Sequence, residues 1–119
     1  MSRDSFVNRD KQRGNPSYRR SKVQEKELAV RIGGRTTIAS GSKYEKGDVR
    51  LRRVVRIEAK TTKHKSFSVT LDMIAKIEDA ALACDELPVI VIEFNDNRGG
   101  KVKEIAVVPV YVLDDLGAR

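Results

Sequence analysis

The sequence predicts an α/β domain, a central mixed β-sheet flanked by helices. Three observations lead there. In residues 55–62, apolar Val55, Ile57 and Ala59 alternate with charged Arg56, Glu58 and Lys60, the period of a strand with one face in a core. Residues 88–94, PVIVIEF, form a nearly continuous apolar run, as in a strand covered on both faces. A helical pattern lies between them, and a helix joining two strands permits a parallel crossover.

A chain of 119 residues suits one domain with one core. Its 24 Lys and Arg against 17 Asp and Glu leave a net charge of +7, which favours nucleic acid, another polyanion or an anionic surface as partner. With no Trp, three Phe and three Tyr, it has few platforms for stacking bases, so recognition of backbone and shape is expected over base reading. Cys84 is the only cysteine and His64 the only histidine. An intrachain disulfide and a Cys- or His-based zinc site are therefore not expected. No apolar run follows the basic N-terminal residues and no stretch approaches ~20 apolar residues, so neither a signal peptide nor a membrane span is expected. The expectation is a cytoplasmic protein with no membrane partner.

Residues 1–20 read as a basic flexible arm, and residues 21–119 as the folded domain. The arm is either a solvated tail or a segment that orders on phosphates and gains affinity by counterion release. Ser21 is placed to cap a helix running to about Ile32 and stopped by Gly33 and Gly34. Leu28, Ala29 and Ile32 set its apolar face, and Glu25 falls on that face while Glu27 points away. A carboxylate on the buried side of a helix is costly unless paired with a cation or a metal. That singles out Glu25.

Residues 36–39 are β-prone and lead into Ser40-Gly41-Ser42, either a plain turn or a loop whose small residues let backbone N–H groups approach a phosphate. From Asp48 a second alternation puts Val49 and Leu51 on one face and Asp48, Arg50 and Arg52 on the other. A tight turn near Arg52 and Arg53 makes this strand the antiparallel neighbour of residues 55–62, with Asp48 and Glu58 near one another at the same end.

Residues 61–66 form a polar loop with Lys63, His64 and Lys65. Thr70 can cap a second helix through about Asp85, with an apolar stripe of Met73, Ile77, Ala80, Ala81 and Cys84. Leu71, Ile74 and Leu82 widen that stripe and offer a dimer surface. Residues 95–100 are turn-rich, and residues 105–112 supply a last strand broken by Pro109. The expected order is α-β-β-β-α-β-β.

Phosphodiester hydrolysis needs a poised water, charge relief at the phosphorus and help for the leaving oxygen. Hard divalent cations on oxygen ligands supply all three. Asp48 and Glu58 are such ligands, the backbone carbonyl of Ala59 is a natural third, and Glu25 could serve a second ion or a metal-bound water. Lys60 can orient or deprotonate the water or offset phosphate charge. The competing reading is structural: Glu58 and Lys60 as a surface charge ladder, Asp48 as a turn residue.

Taken together, Glu25 with Leu28, Ser40-Gly41-Ser42, Asp48, Glu58-Ala59-Lys60 with Thr62, Asp72-Met73, and Pro88-Val89 with Phe94 resemble the archaeal-type Holliday junction resolvases. These belong to the restriction-endonuclease-like PD-(D/E)xK nucleases, and similar small resolvases are encoded by some phages, which would put the protein in a host-cell cytoplasm. The resemblance spans residues 21–94. It implies a restriction-endonuclease-like sheet, a symmetric homodimer, and paired nicking of four-way DNA junctions with Mg²⁺, Mn²⁺ being able to substitute. It carries over Glu25, Asp48, Glu58 and Lys60 as catalytic positions and Ser40 and Ser42 as part of the loop near the junction backbone. Where the family has an arginine before that loop this chain has Ile38, with Arg35 the nearest substitute. Lys26 stands where the family has an arginine after the helix glutamate. The expected DNA-contacting set is Arg19, Arg20, Lys26, Arg35, Ser40, Ser42, Lys43 and Lys63. Alternatives are a general nuclease of the same fold acting on ends, nicks or duplex, and a non-catalytic basic DNA-binding module.

Overall fold

A computed structural model of the chain describes residues 16–37 and 48–117. Helix α1 (Pro16–Ile32) opens it, followed by strands β1 (Arg35–Thr36), β2 (Val49–Leu51) and β3 (Val55–Thr62), helix α2 (Leu71–Leu82), strands β4 (Leu87–Asn95) and β5 (Lys101–Val107), and helix α3 (Tyr111–Gly117). The sheet order is β1-β2-β3-β4-β5. Among the described residues only β3 and β4 run parallel, joined through α2, so the sheet is mixed as expected. Among the described residues no helix is long and apolar enough to cross a membrane.

Two apolar layers hold the sheet. On one face α1 sets Leu28 and Ala29 against Val49, Ile57 and Val91. On the other, Ile77 of α2 packs on Ile90 and Ile92, with Met73, Ile74 and Phe94 half-buried around them. Odd-numbered residues of β3 and β4 thus serve one layer and even-numbered β4 residues the other, which is why β4 reads as continuously apolar.

Three sequence expectations need correction. The first helix begins at Pro16 rather than at a Ser21 cap, so the last five residues assigned to the arm are helical. Proline is preorganised for a first turn, where its missing N–H leaves no bond unmade. The other end matches: Gly33 takes φ +71, and the Gly34 amide bonds back to the Ala29 carbonyl at 2.8 Å. A Cβ on Gly34 would lie 2.3 Å from the Arg50 carbonyl oxygen, so glycine lets α1 leave close against β2. Second, the last strand is residues 101–107 and residues 111–117 are helical. Pro109 ends the ladder, and Val112 donates back to the Pro109 carbonyl at 3.0 Å. Third, Arg50 and Arg56 lie inside, 6% and 0% exposed, not on an open face.

The second helix is as expected at its start, where the Thr70 hydroxyl accepts the Met73 amide. Of the residues that widened its stripe, Ile74 joins the core while Leu71 and Leu82 stay exposed, and Cys84 is half-buried. At the helix exit Asp85 adopts φ 58 and the Glu86 amide bonds to the Ala81 carbonyl at 2.8 Å, which turns the chain sharply and delivers Glu86 beneath the sheet.

Candidate active-site cleft

The register of the β2–β3 hairpin builds the site. Val49 pairs with Ile57, so one step further Asp48 lies across from Glu58. Asp48 is fixed three times over: its amide donates to Ile57 O at 2.8 Å, its carbonyl accepts the Thr37 amide at 3.0 Å, and its carboxylate Oδ2 accepts the Ala59 amide at 2.8 Å. The carboxylate thereby stands in for the strand partner that β2 no longer supplies. Backbone N–H and C=O of one strand residue face the same neighbour. The Ala59 carbonyl is accordingly on the Asp48 side.

Glu25 comes from the opposite layer. It is 8% exposed on the inward face of α1, with its Oε2 3.4 Å from Lys22 Nζ. Glu58 is half-buried, its Oε1 3.1 Å from Lys60 Nζ. Glu25, Asp48, Glu58, Ala59 and Lys60 all line one open cleft of about 400 Å³, together with Ser21, Lys22 and Thr61. The four residues expected to be catalytic thus line one cleft.

Electrostatics in the cleft favour protons. Burial pushes the Asp48 carboxyl above its ordinary value; the Ala59 amide opposes this, the nearby Glu25 adds to it and Lys60 opposes. Burial likewise raises Glu58, reinforced by Asp48 and opposed by Lys60 and Lys76. Excess negative charge in a half-buried space is thus only partly offset by Lys22 and Lys60. As a donor set for a hard cation the oxygens are of the right kind. Their spacing is looser: among the described residues no three His, Cys, Asp or Glu side chains form a metal-holding group. The carboxylates are drawn instead to the Ala59 amide, Lys60 and Lys22.

Gln24 is a site residue that sequence reasoning passed over. It is fully buried, and its Nε2 donates to the Lys60 carbonyl at 3.0 Å and to Val91 O at 3.4 Å. This ties α1, and with it Glu25, to β3 and β4. The signal was present, since Gln24 is four residues before Leu28 and so on the same inward stripe.

The expected DNA-contacting residues disperse. Arg20 turns inward and binds Glu93 bidentately, its Nη2 2.6 Å from Oε2, with Glu27 at 3.5 Å. Arg19, Lys26, Arg35 and Lys63 are exposed. Ser40, Ser42 and Lys43, with Ile38 and arm residues 1–15, lie outside the described residues.

A second charged cluster stabilises the far end of the hairpin. Glu86 accepts Arg50 at 2.6 and 3.1 Å, Arg56 at 2.8 Å and the Arg53 amide at 3.0 Å. Burial alone would raise the Glu86 pKa, but these donors outweigh it and hold the carboxyl below its ordinary value.

Comparison of the chain with protein-family models, with curated proteins and with solved structures returns no match.

Proposed function

We propose that the chain is a metal-dependent, structure-selective DNA endonuclease that resolves four-way junctions by paired, symmetric nicks. One observation carries the reading: Glu25, Asp48, Glu58 and Lys60, brought from two strands and a helix on separate layers, line a single open cleft. A surface charge ladder has no need of Glu25, which is nine-tenths buried and enters the cleft from the first helix.

Asp48, Glu58 and the Ala59 carbonyl would hold Mg²⁺, with Glu25 anchoring a second ion or a bound water and Mn²⁺ able to substitute. When bound, the cation supplies charge relief at the scissile phosphate and acidifies water. The chain's own groups do the rest. Lys60 orients the attacking water or offsets charge on the phosphate, while Glu58 holds the Lys60 ammonium at 3.1 Å. The Ala59 amide keeps the Asp48 carboxylate aimed into the cleft. Gln24 keeps Glu25 in range. The net +7 charge favours a polyanionic substrate. A two-fold homodimer in the cytoplasm would set two clefts on opposed strands of one junction.

The test is a labelled four-way junction and its matched linear duplex, each with Mg²⁺. Paired nicks in the junction alone support the resolvase reading. Cutting of both substrates points to a general nuclease of the same chemistry, and binding without cutting removes the enzyme.

A further inference from the structure

The β4–β5 pairing slips by one residue where it leaves the core. Phe94 pairs with Lys103, but Asn95 pairs with Lys101, which leaves Val102 as the extra residue of a bulge, 68% exposed. Bulges re-aim side chains. Here Asn95 lines two depressions at once. One, of about 490 Å³, has an apolar wall of Phe94 and Val102 and a rim of Lys63, Lys65 and Lys103. The other, of about 280 Å³, shares Lys63 and adds Arg98. Thr61 lines this second depression and the carboxylate cleft alike, so the two are neighbours at the end of β3. From Glu58 to Thr61 the strand advances ~10 Å at ~3.3 Å per residue.

The acidic residue nearby, Asp96, is committed to the loop itself, its Oδ1 accepting the Arg98 and Gly100 amides at 2.8 Å each. The remaining lining is cationic at Lys63, Lys65, Lys103 and Arg98, apolar at Phe94 and Val102, and polar elsewhere. A cationic rim beside an apolar wall suits the phosphate and base face of a nucleotide. A pocket of this size suits one such unit.

We propose that these two depressions are a nucleotide subsite for one strand of DNA as it passes from the cleavage cleft beyond Thr61. The base lies against Phe94 and Val102, and the flanking phosphates rest on Lys63 and Arg98. The identity of the strand rests on the nuclease reading; the subsite itself does not.

The test is fluorescence anisotropy with the full chain and a labelled thymidylate strand of about eight nucleotides, within the usual span of single-strand sites. EDTA is present so that nothing is cut, and salt is titrated. In the double variant Lys63→Ala, Arg98→Ala, both exposed positions, affinity falls tenfold or more and the log–log salt slope falls by about 1.4, at about 0.7 for each phosphate no longer neutralised. An unaltered affinity and slope in the double variant overturns the proposal. Thymidine monophosphate binding as tightly as the strand overturns the strand assignment in favour of a free nucleotide. Failure of Mg²⁺-dependent cutting would sink the nuclease and leave this binding result standing.

Discussion

The Asp48 carboxylate accepts the Ala59 amide at 2.8 Å, one step beyond the point where β2 stops pairing with β3. A side chain thus completes the ladder. Asn at this position can still accept the amide through Oδ1. Asp48→Asn is therefore expected to change stability by less than about 1 kcal/mol and to lower junction cleavage by at least about 10²-fold, in the range seen for loss of one charge-stabilising group. Denaturant melts and cleavage rates on the same preparation check both halves.

Stability should respond to pH through the same group. Unfolded Asp and Glu titrate near about 3.9 and 4.3, and burial, with neighbouring carboxylates, raises both Asp48 and Glu58 in the folded chain. Between the unfolded and folded values the native state binds more protons, so stability falls as pH rises through that window. Relative to Asp48→Asn, the parent should gain stability as pH is lowered from about 7 towards about 4.5. Glu86 works in the opposite sense, since its lowered folded value costs stability only below about 4.3. Denaturation of parent and variant at both pH values decides it; a difference that does not change with pH contradicts the electrostatic account of the cleft.

Glu86→Gln should be among the most damaging single changes. It leaves the buried Arg50 and Arg56 guanidinium groups without their shared anion. Breaking a buried ion pair by removing one partner costs about 3–5 kcal/mol. A loss below about 1 kcal/mol in chemical denaturation would mean that the cluster adds little to the hairpin.

Removing the basic segment before the first helix tests the arm. Because α1 begins at Pro16, the deletion should end at residue 15 rather than at 18 or 20, leaving the helix and the Arg20–Glu93 pair whole. Junction binding should weaken and its salt slope should flatten, by about 0.9 for each duplex phosphate that the arm no longer neutralises. An unchanged slope would return the arm to the status of an idle tail.

Where periodicity was long, the sequence disclosed the structure. The alternation in residues 55–62, the apolar run in residues 88–94 and the stripe from Met73 to Ala81 each placed an element and its buried face. Asp48 and Glu58 could be set side by side because a tight turn leaves one register. Glu25 could be set inward because Leu28, Ala29 and Ile32 define the face it shares. What stayed hidden depended on distant partners. Arg50 and Arg56 looked like surface charges until Glu86, thirty or more residues later, turned in beneath them. Arg20 looked like a phosphate ligand because its partner, Glu93, sits inside the most apolar strand of the chain. The seven residues of α3 are too few to show a helical period, and their apolar content passes for a strand. The slip at Asn95 arises only from how β5 is laid against β4.

The most direct measurement is nicking of a labelled four-way junction as Mg²⁺ is titrated into the parent chain and into Glu58→Gln. The cleft of Glu25, Asp48, Glu58 and Lys60, if it is the cleavage centre, predicts metal-dependent paired nicks by the parent and loss of at least about 10²-fold in Glu58→Gln with junction binding retained. Nicking by Glu58→Gln at the parent's rate, or none by the parent at any Mg²⁺ concentration, would contradict it.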